Sequence, residues 1–427
     1  MEIKELYQKY LETGKVSTDT RQITSGSVFF AIKGPTFNAN EFAGEALEKG
    51  ASYAVVDEEK FVVSNRCILV GDGLNALQDL ARYHRSQLRI PVIGLTGSNG
   101  KTTSKELVSA VLNKKFKVYA TKGNLNNHIG VPLTILSIDA THEMAVVEMG
   151  ANHVGEIAAL SDIAQPTHGF ITNIGKAHIG TFGGFENIIR GKSELFQYLI
   201  ANKGTVFINS QNTILANMAR RFKDPVLYPA VGNYYHCTLV KADPFVIIEA
   251  EDGEKIATQI IGAYNFENIA VALCIGKYFG VDPGAANRSI ADYVPGTMRS
   301  QMMKKATNTI ILDAYNANPS SMEAAINNIS EMEAKRKVVI LGDMYELEGE
   351  AEAEHRKIGT LLQEIGIIEA YLCGPLMKAA QATFPQGKFF ESKDGLIQEL
   401  KKNPIKSALI LIKGSRGMAM EKVVEFI

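Results

Sequence analysis

Residues 94–106 read GLTGSNGKTTSKE, a glycine-rich loop closed by Lys101 and two threonines. Holding a phosphate takes several backbone N–H groups aimed at one point, a cation and, for magnesium, a hydroxyl. Gly97 and Gly100 let the backbone turn inward, Lys101 supplies the cation and Thr102 the hydroxyl. Upstream, Pro91-Val92-Ile93-Gly94-Leu95 reads as a buried strand, and downstream Ser104 to Leu112 has the apolar spacing of a helix. Strand, loop and helix in that order predict a P-loop on a parallel sheet, and so an α/β fold. The general pattern wants a glycine at position 95, where this chain has Leu95, with glycines at 94 and 97 instead. Gly97, Ser98, Asn99, Gly100, Lys101, Thr102 and Thr103 form the candidate nucleotide cradle. The competing reading, a glycine turn followed by a helix cap, leaves Lys101 and the paired threonines unexplained.

The chain has 427 residues, more than one hydrophobic core usually supports, so two or three domains are expected. A net charge of −1, from 45 basic and 46 acidic residues, gives no sign of a nucleic-acid scaffold or a polyanion-binding surface. Cys67, Cys237, Cys274 and Cys373 are far apart and form no CxxC pair, which argues against zinc and against a disulfide framework. The N-terminal MEIKELYQKYLETG is charged and amphipathic, and no run approaches the ~20 apolar residues of a membrane span. A soluble protein of the reducing cytoplasm is expected.

Three regions follow from the rhythm of the chain. Residues 1–86 read as a small α/β unit with strands near Ser27–Ile32 and Ala54–Asp57 and a helix near Glu41–Lys49. Residues 87–296 open with the P-loop strand and continue with strands ending at Glu148, Asn173 and Ile208, the βα alternation of a parallel sheet. Alternating apolar residues from Cys237 to Ile261, around Glu251-Asp252-Gly253-Glu254, predict an antiparallel hairpin at that sheet's edge. After Pro295 the alternation restarts, and residues 297–427 read as a third α/β region ending in a helix.

Several residues outside the loop could serve phosphate chemistry. Glu148 ends the apolar strand AVVEMG, at the same sheet edge as the P-loop, where a carboxylate can hold magnesium. His178, in ITNIGKAHIG, arrives at that edge too, although a hydrogen-bonded loop histidine is the blander reading. Lys192 in RGKSELF is by composition a solvated lysine, which cannot bind metal while protonated. Helix capping accounts for one of Asn265 and Asn268 in GAYNFENIA, and Asp313, Asn316 and Asn318 in DAYNANPSSM exceed what capping requires. Arg299 in MRSQ could stabilise a transferring phosphate or stand exposed in a linker. LGDMYELEGE and LIKGSRGMAME, with Lys413, Ser415 and Arg416, could be a carboxylate seat or ordinary βα loops.

Taken together, TDTRQITSGSVFFAIKG, TGSNGKTT, NLNNHIGVPLT, VVEMGANHVGEI, GKSELF, DAYNANPSSMEAA, LGDMYELEGE and KGSRGMAME resemble the Mur ligases over nearly the whole chain. NLNNHIGVPLT, DAYNANPSSM and LGDMYEL point to the branch that adds D-alanyl-D-alanine. The resemblance implies three domains: one for the UDP group, a central ATPase, and a C-terminal Rossmann-like domain. It implies ATP and Mg2+ as cofactors, UDP-MurNAc-tripeptide and D-alanyl-D-alanine as small-molecule partners, an acyl-phosphate intermediate, no nucleic acid and a monomer. It assigns Lys101 and Thr102 to phosphate and magnesium, Glu148 and His178 to metal, and Lys192 to a CO2-derived carbamate that serves as a metal ligand. Asn268 falls to adenine, Arg299 to phosphate, Asp313 to ribose, and Asn316 beside them to ATP. Thr20, Arg21, Ser27, Asn126, Asn127, Asn318, Lys413 and Ser415 fall to substrate. Two positions depart from the family's habit: Tyr264 where a histidine is common, and Ala39-Asn40 where a glycine-histidine pair is common. Other readings are a third-residue-adding Mur-type ligase, a folylpolyglutamate synthetase, or a P-loop switch that ligates nothing.

Overall fold

The computed structural model describes residues 2–296 and 298–427. Thr297, where the third region is expected to begin, lies outside the described residues.

The first region carries a parallel sheet of β1 (Val16–Ser17), β2 (Val28–Phe30), β5 (Tyr53–Val56) and β6 (Cys67–Leu69), in that order. Between β2 and β5 lies a small hairpin of β3 (Lys33–Gly34) and β4 (Phe37–Asn38). The amphipathic N-terminus forms a helix, Ile3–Thr13, ended by Gly14 at φ 63°, and buries Leu6, Tyr7 and Tyr10 at helical spacing. Tyr10 Oη donates to the Leu136 carbonyl at 2.6 Å, which ties this helix to the central region. Helix Gly73–Gln87, capped by the Asp72 side chain, packs on the same neighbours.

The central sheet is six-stranded and parallel: β7 (Val92–Thr96), β8 (Val118–Ala120), β9 (Met144–Glu148), β10 (His168–Ile171), β11 (Thr205–Asn209) and β12 (Val226–Tyr228), ordered β12-β11-β10-β7-β9-β8. β7 and β9 are buried along their whole length, as a strand covered by helices on both faces must be. Connections leave β7 toward both sides of the sheet, so the crevice at its carboxyl end is the topological switch point where such sheets bind ligands.

The expected edge hairpin is corrected in one respect. β13 (Thr238–Ala242), β14 (Phe245–Glu249) and β15 (Lys255–Ile261) form a separate antiparallel sheet that does not join the parallel one. The turn falls where expected, between β14 and β15. Burying Val246, Ile248, Ile256 and Ile260 in the core beside helix Phe266–Tyr278 is what the alternation records.

The third region holds β16 (Gln301–Lys305), β17 (Asn308–Asp313), β18 (Lys337–Gly342), β19 (Glu369–Cys373), β20 (Lys388–Phe390) and β21 (Leu409–Lys413), ordered β16-β17-β21-β18-β19-β20, with only β16 antiparallel. Pro319 opens helix Pro319–Glu331, and Asn318 caps it. The chain closes on two 3-10 segments, Arg416–Met418 and Met420–Phe426, in place of the expected final helix. Among the described residues no helix is long and apolar enough to cross a membrane.

Candidate active site

The loop after β7 can be built only from glycine at two places. Gly97 sits at φ +148°, and a Cβ there would strike Thr172 Oγ1; at Gly100, φ +77°, a Cβ would lie 2.6 Å from Asn268 Oδ1. Ser98 Oγ donates to the Gly175 carbonyl at 2.8 Å, and Asn173 Oδ1 accepts the Asn99 N–H at 3.0 Å, so the loop after β10 braces the loop after β7. Helix Lys101–Leu112 begins with no side-chain cap, leaving its first N–H groups to a ligand. Lys101 Nζ folds back onto the Gly97 carbonyl at 2.7 Å and the Ser98 carbonyl at 3.3 Å. Burial lowers its pKa, Glu148 opposes that and Arg299 adds to it.

Thr102 Oγ1 donates to Glu148 Oε2 at 3.0 Å, and Asn126 Nδ2 donates to Oε1 of the same carboxylate at 2.8 Å. A hydroxyl and a buried carboxylate side by side are hard-oxygen donors of the type magnesium takes. Among the described residues no three His, Cys, Asp or Glu side chains gather around a metal-sized space, so the further oxygens for a magnesium would be those of water, phosphate or a modified side chain. Lys192 fits the second role. It is 1% exposed, its Nζ donates only to the Ala151 carbonyl at 3.2 Å, and it lies 5.2 Å from the centre of the Phe182 ring. Burial, with repulsion from Lys101 added, pushes its pKa down to about 7. The neutral amine that attacks CO2 is therefore well populated at neutral pH. His178 lies 2.7 Å (Nδ1) from Glu346 Oε2, so in this arrangement it reaches across to the third region.

The opposite wall comes from the ends of β17 and β21. Asp313 Oδ1 accepts the Ser300 N–H at 3.0 Å, Oδ2 takes a short bond from Lys413 Nζ, and Lys413 also donates to the Asn316 carbonyl at 3.2 Å. The Arg299 guanidinium stacks 3.6 Å over the Tyr315 ring. Asn318 Nδ2 donates to Asn99 Oδ1 at 2.8 Å, joining the third region to the P-loop itself. Beside it, the Lys176 N–H donates to Ser320 Oγ at 3.0 Å, and Lys176 Nζ pairs with Glu354 at 2.9 Å.

These walls enclose a cleft of about 1330 Å3, above the roughly 300–1,000 Å3 of an ordinary small-molecule site and so roomy enough for a nucleotide and a second substrate together. Ser98 to Thr103, Asn126, Asn127, Glu148, His178, Asn268, Arg299, Asp313, Asn316, Asn318 and Lys413 all line it. Gly97, Lys192 and Ser415 do not line it. Ser415 Oγ instead accepts the Tyr345 N–H at 2.8 Å and fastens two loops of the third region to each other. Thr20, Arg21 and Ser27 lie outside this cleft as well. Arg21 is turned to Asp19, whose carboxyl it holds down at about 2, and the fully buried Ser27 hydroxyl has no partner among the described residues. Asn268 faces inward: Oδ1 accepts from Ser104 Oγ at 2.8 Å and Nδ2 donates to Asn265 Oδ1 at 2.7 Å, a buried chain beneath the P-loop helix. Asn40 is also internal, exchanging hydrogen bonds with Asp57, while Tyr264 lines the cleft with its hydroxyl on Ser300 Oγ at 2.7 Å. Lys176, Ser320 and Glu354 were not singled out by the sequence reading. Lys176 and Ser320 stand inside ITNIGKAHIG and DAYNANPSSM, but nothing in those stretches sets them apart, because they and Glu354 matter only through partners far along the chain.

Residues 95–276 match the model of the Mur ligase middle domain, and residues 298–416 match that of the Mur ligase, glutamate ligase domain. The UDP-N-acetylmuramoyl-tripeptide--D-alanyl-D-alanine ligase of Bacillus subtilis is 34% identical over 430 residues, spanning 96% of this chain and 92% of that enzyme. A UDP-N-acetylmuramoylalanyl-D-glutamyl-2,6-diaminopimelate--D-alanyl-D-alanyl ligase from Acinetobacter baumannii superposes with a TM-score of 0.83 at 30% identity, over 96% of this chain and 92% of that one. MurF ligase from Thermotoga maritima, solved in complex with ADP, superposes with a TM-score of 0.86 at 26% identity, over 97% of each chain. With two domain models end to end and near full-length relatives above 30% identity, the chain belongs to the Mur ligase family.

Proposed function

We propose that this chain is an ATP-dependent ligase that joins D-alanyl-D-alanine to UDP-N-acetylmuramoyl-tripeptide, releasing ADP and phosphate, in peptidoglycan precursor synthesis. The observation that carries the reading is the bond from Asn318 to Asn99 across one cleft, which sets the strand ends of the third region directly against the P-loop.

In this reading the P-loop amides and Lys101 hold the ATP phosphates, Arg299 and Asn316 approach the nucleotide from the third region, and Asp313 holds the ribose. Asn268 supports the P-loop helix at the adenine side. Mg2+, when bound, neutralises phosphate charge. Thr102, Glu148, His178 and a carbamate on Lys192 would hold it. The terminal carboxylate of the tripeptide is already ionised, so its phosphorylation needs alignment and charge neutralisation more than a base. The resulting acyl phosphate is attacked by the amine of the dipeptide, phosphate leaves, and closure around the cleft keeps water out. Asn126, Asn127, Asn318 and Lys413 are the substrate contacts that the cleft offers, with Thr20, Arg21 and Ser27 set apart in the first region, where the UDP end is placed. Domain limits of 1–86, 87–296 and 297–427 follow the same division. A monomer suffices, since one chain builds every wall, and the reaction is placed in the cytoplasm with its nucleotide substrates.

Phosphate release from ATP and magnesium with UDP-N-acetylmuramoyl-tripeptide, with and without D-alanyl-D-alanine, tests the reading. Release that requires the dipeptide, together with a pentapeptide product by mass, is expected. Release that instead requires single D-alanine, glutamate or another amine would move the chain to a different acceptor.

A further inference from the structure

Among the described residues three lysines are buried: Lys105, Lys192 and Lys413, at 4%, 1% and 2% exposure. Lys192 donates to a carbonyl and Lys413 to a carboxylate. Among the described residues Lys105 Nζ has no hydrogen-bond partner and Lys105 forms no ion pair, although its side chain lies in the cleft wall. Its stem is buried while its ammonium reaches the cleft surface with no carboxylate of the described residues against it, so it is free to take an anionic group from a ligand.

Position identifies which ligand. Lys105 stands one helical turn beyond Lys101 on helix Lys101–Leu112, on the face of Thr102. Two carboxylates that line the same cleft already have partners: Glu106 accepts from Tyr293 Oη at 2.5 Å, and Glu148 is shared by Thr102 and Asn126. One turn back, Thr102 is linked through Glu148 to Asn126, and the cleft lining also includes Gly123, Asn124 and His128, whose carbonyl accepts from Gln78 Nε2 of the first region at 3.0 Å. That wall runs from the P-loop toward the first region. It is the path a UDP-linked peptide must span if its UDP end sits in the first region and its reacting carboxylate meets the ATP phosphates. Asp313 and Lys413, by contrast, belong to the third region and bond to each other.

We propose that Lys105 is a binding residue for the peptide donor, gripping a carboxylate other than the one that is activated; this rests on the ligase reading above. An alanyl-D-glutamyl-2,6-diaminopimelate peptide offers two such groups: the free glutamyl carboxylate and the second carboxylate of the diaminopimelate. With lysine as the third residue only the glutamyl group remains.

The test compares wild type with Lys105→Met, which keeps the stem and removes the charge, on three donors: the diaminopimelate peptide, its lysine counterpart, and the diaminopimelate peptide with its glutamyl carboxylate amidated. The variant is expected to raise KM for the diaminopimelate donor about tenfold or more, the size of one charge-assisted bond, with KM for ATP unchanged. The ratio of variant to wild-type KM should fall near one for whichever donor lacks the gripped carboxylate: the lysine donor if the group is on the third residue, the amidated donor if it is the glutamyl one. Equal ratios across all three donors, or a shift in KM for ATP, would overturn the assignment. Should Lys105→Met melt far below wild type, Lys105→Arg on the same donors decides, because it keeps the charge and must retain the donor preference. Wild type that fails to ligate any donor overturns the ligase reading, whereas wild type that ligates alongside an unaffected variant overturns this inference alone.

Discussion

Lys192 and Gly97 show how single positions set what this cleft can do. The Lys192 amine, pushed down to about 7 by burial, has a neutral form well populated near neutral pH. Exposure to 13C-labelled CO2 is expected to give a carbamate signal by NMR in wild type and none in Lys192→Ala. Ligation in that variant should fall by roughly 10^3-fold or more, the scale of a lost metal-site ligand, while its circular dichroism stays native. A carbamate signal that persists in Lys192→Ala, or wild-type turnover in it at saturating magnesium, would remove the lysine from the site. Gly97 acts through shape alone. Gly97→Ala places a methyl against Thr172 Oγ1 at a φ that alanine avoids, so the loop must shift and its amides lose their common focus. Nucleotide affinity, read by calorimetry, should drop at least about tenfold with little change in peptide binding.

At the scale of elements, the parallel core carries a titrating group on one of its strands. His168 on β10 packs against the rings of Phe207, Tyr278 and Phe279 at 6.3, 5.6 and 5.0 Å, and burial pushes its pKa down to about 4. Its unfolded value is about 6.5. A folded value below the unfolded one means that the unfolded chain binds the extra proton. The native state therefore keeps its full stability above about pH 6.5 and loses it as pH falls toward 4, by about 2 kcal/mol after allowing for the ring's partial exposure. Urea unfolding at pH 7 and pH 4.5 checks this: His168→Phe should show a smaller difference between the two midpoints, and an unchanged difference would take His168 out of the acid response. The strand itself was legible in the sequence, because a buried parallel strand is a continuous apolar run. The placement of β13 to β15 was not, since alternation states that one face is buried and is silent about which sheet lies next to it. The P-loop was the most legible part, its chemistry being local to a few consecutive residues. Asn318 was half legible: as a cap it shows in the sequence beside Pro319, but its second bond, to Asn99, spans 219 positions.

Across the whole molecule, what the sequence hid is how the central and third regions hold each other. The contacts that join them near the phosphate loop include Asn318 to Asn99, Ser320 to the Lys176 N–H, Glu354 to Lys176, and Glu346 to His178. Glu354 is the buried member, 4% exposed at its side chain, and takes both Lys176 at 2.9 Å and its own helix neighbour Lys357 at 2.7 Å. Burial alone would raise its pKa, and the two lysines hold it below the usual carboxylate range. Only Lys176 belongs to the central region, so this pair couples closure to the loop that braces Ser98 and Asn99. Glu354→Gln should cost about 1–2 kcal/mol of closure, because Lys176 remains partly exposed and loses less than a fully buried partner would. The expected result is a larger radius of gyration in small-angle scattering with nucleotide bound and a kcat/KM lower by about tenfold. Lys176→Gln should resemble it, and the double variant should be no worse than either single one, since the two side chains act as one contact. Losses that add in the double variant would mean that Glu354 and Lys176 work separately, and scattering unchanged from wild type would mean that the pair is a surface ornament of a cleft closed by other forces.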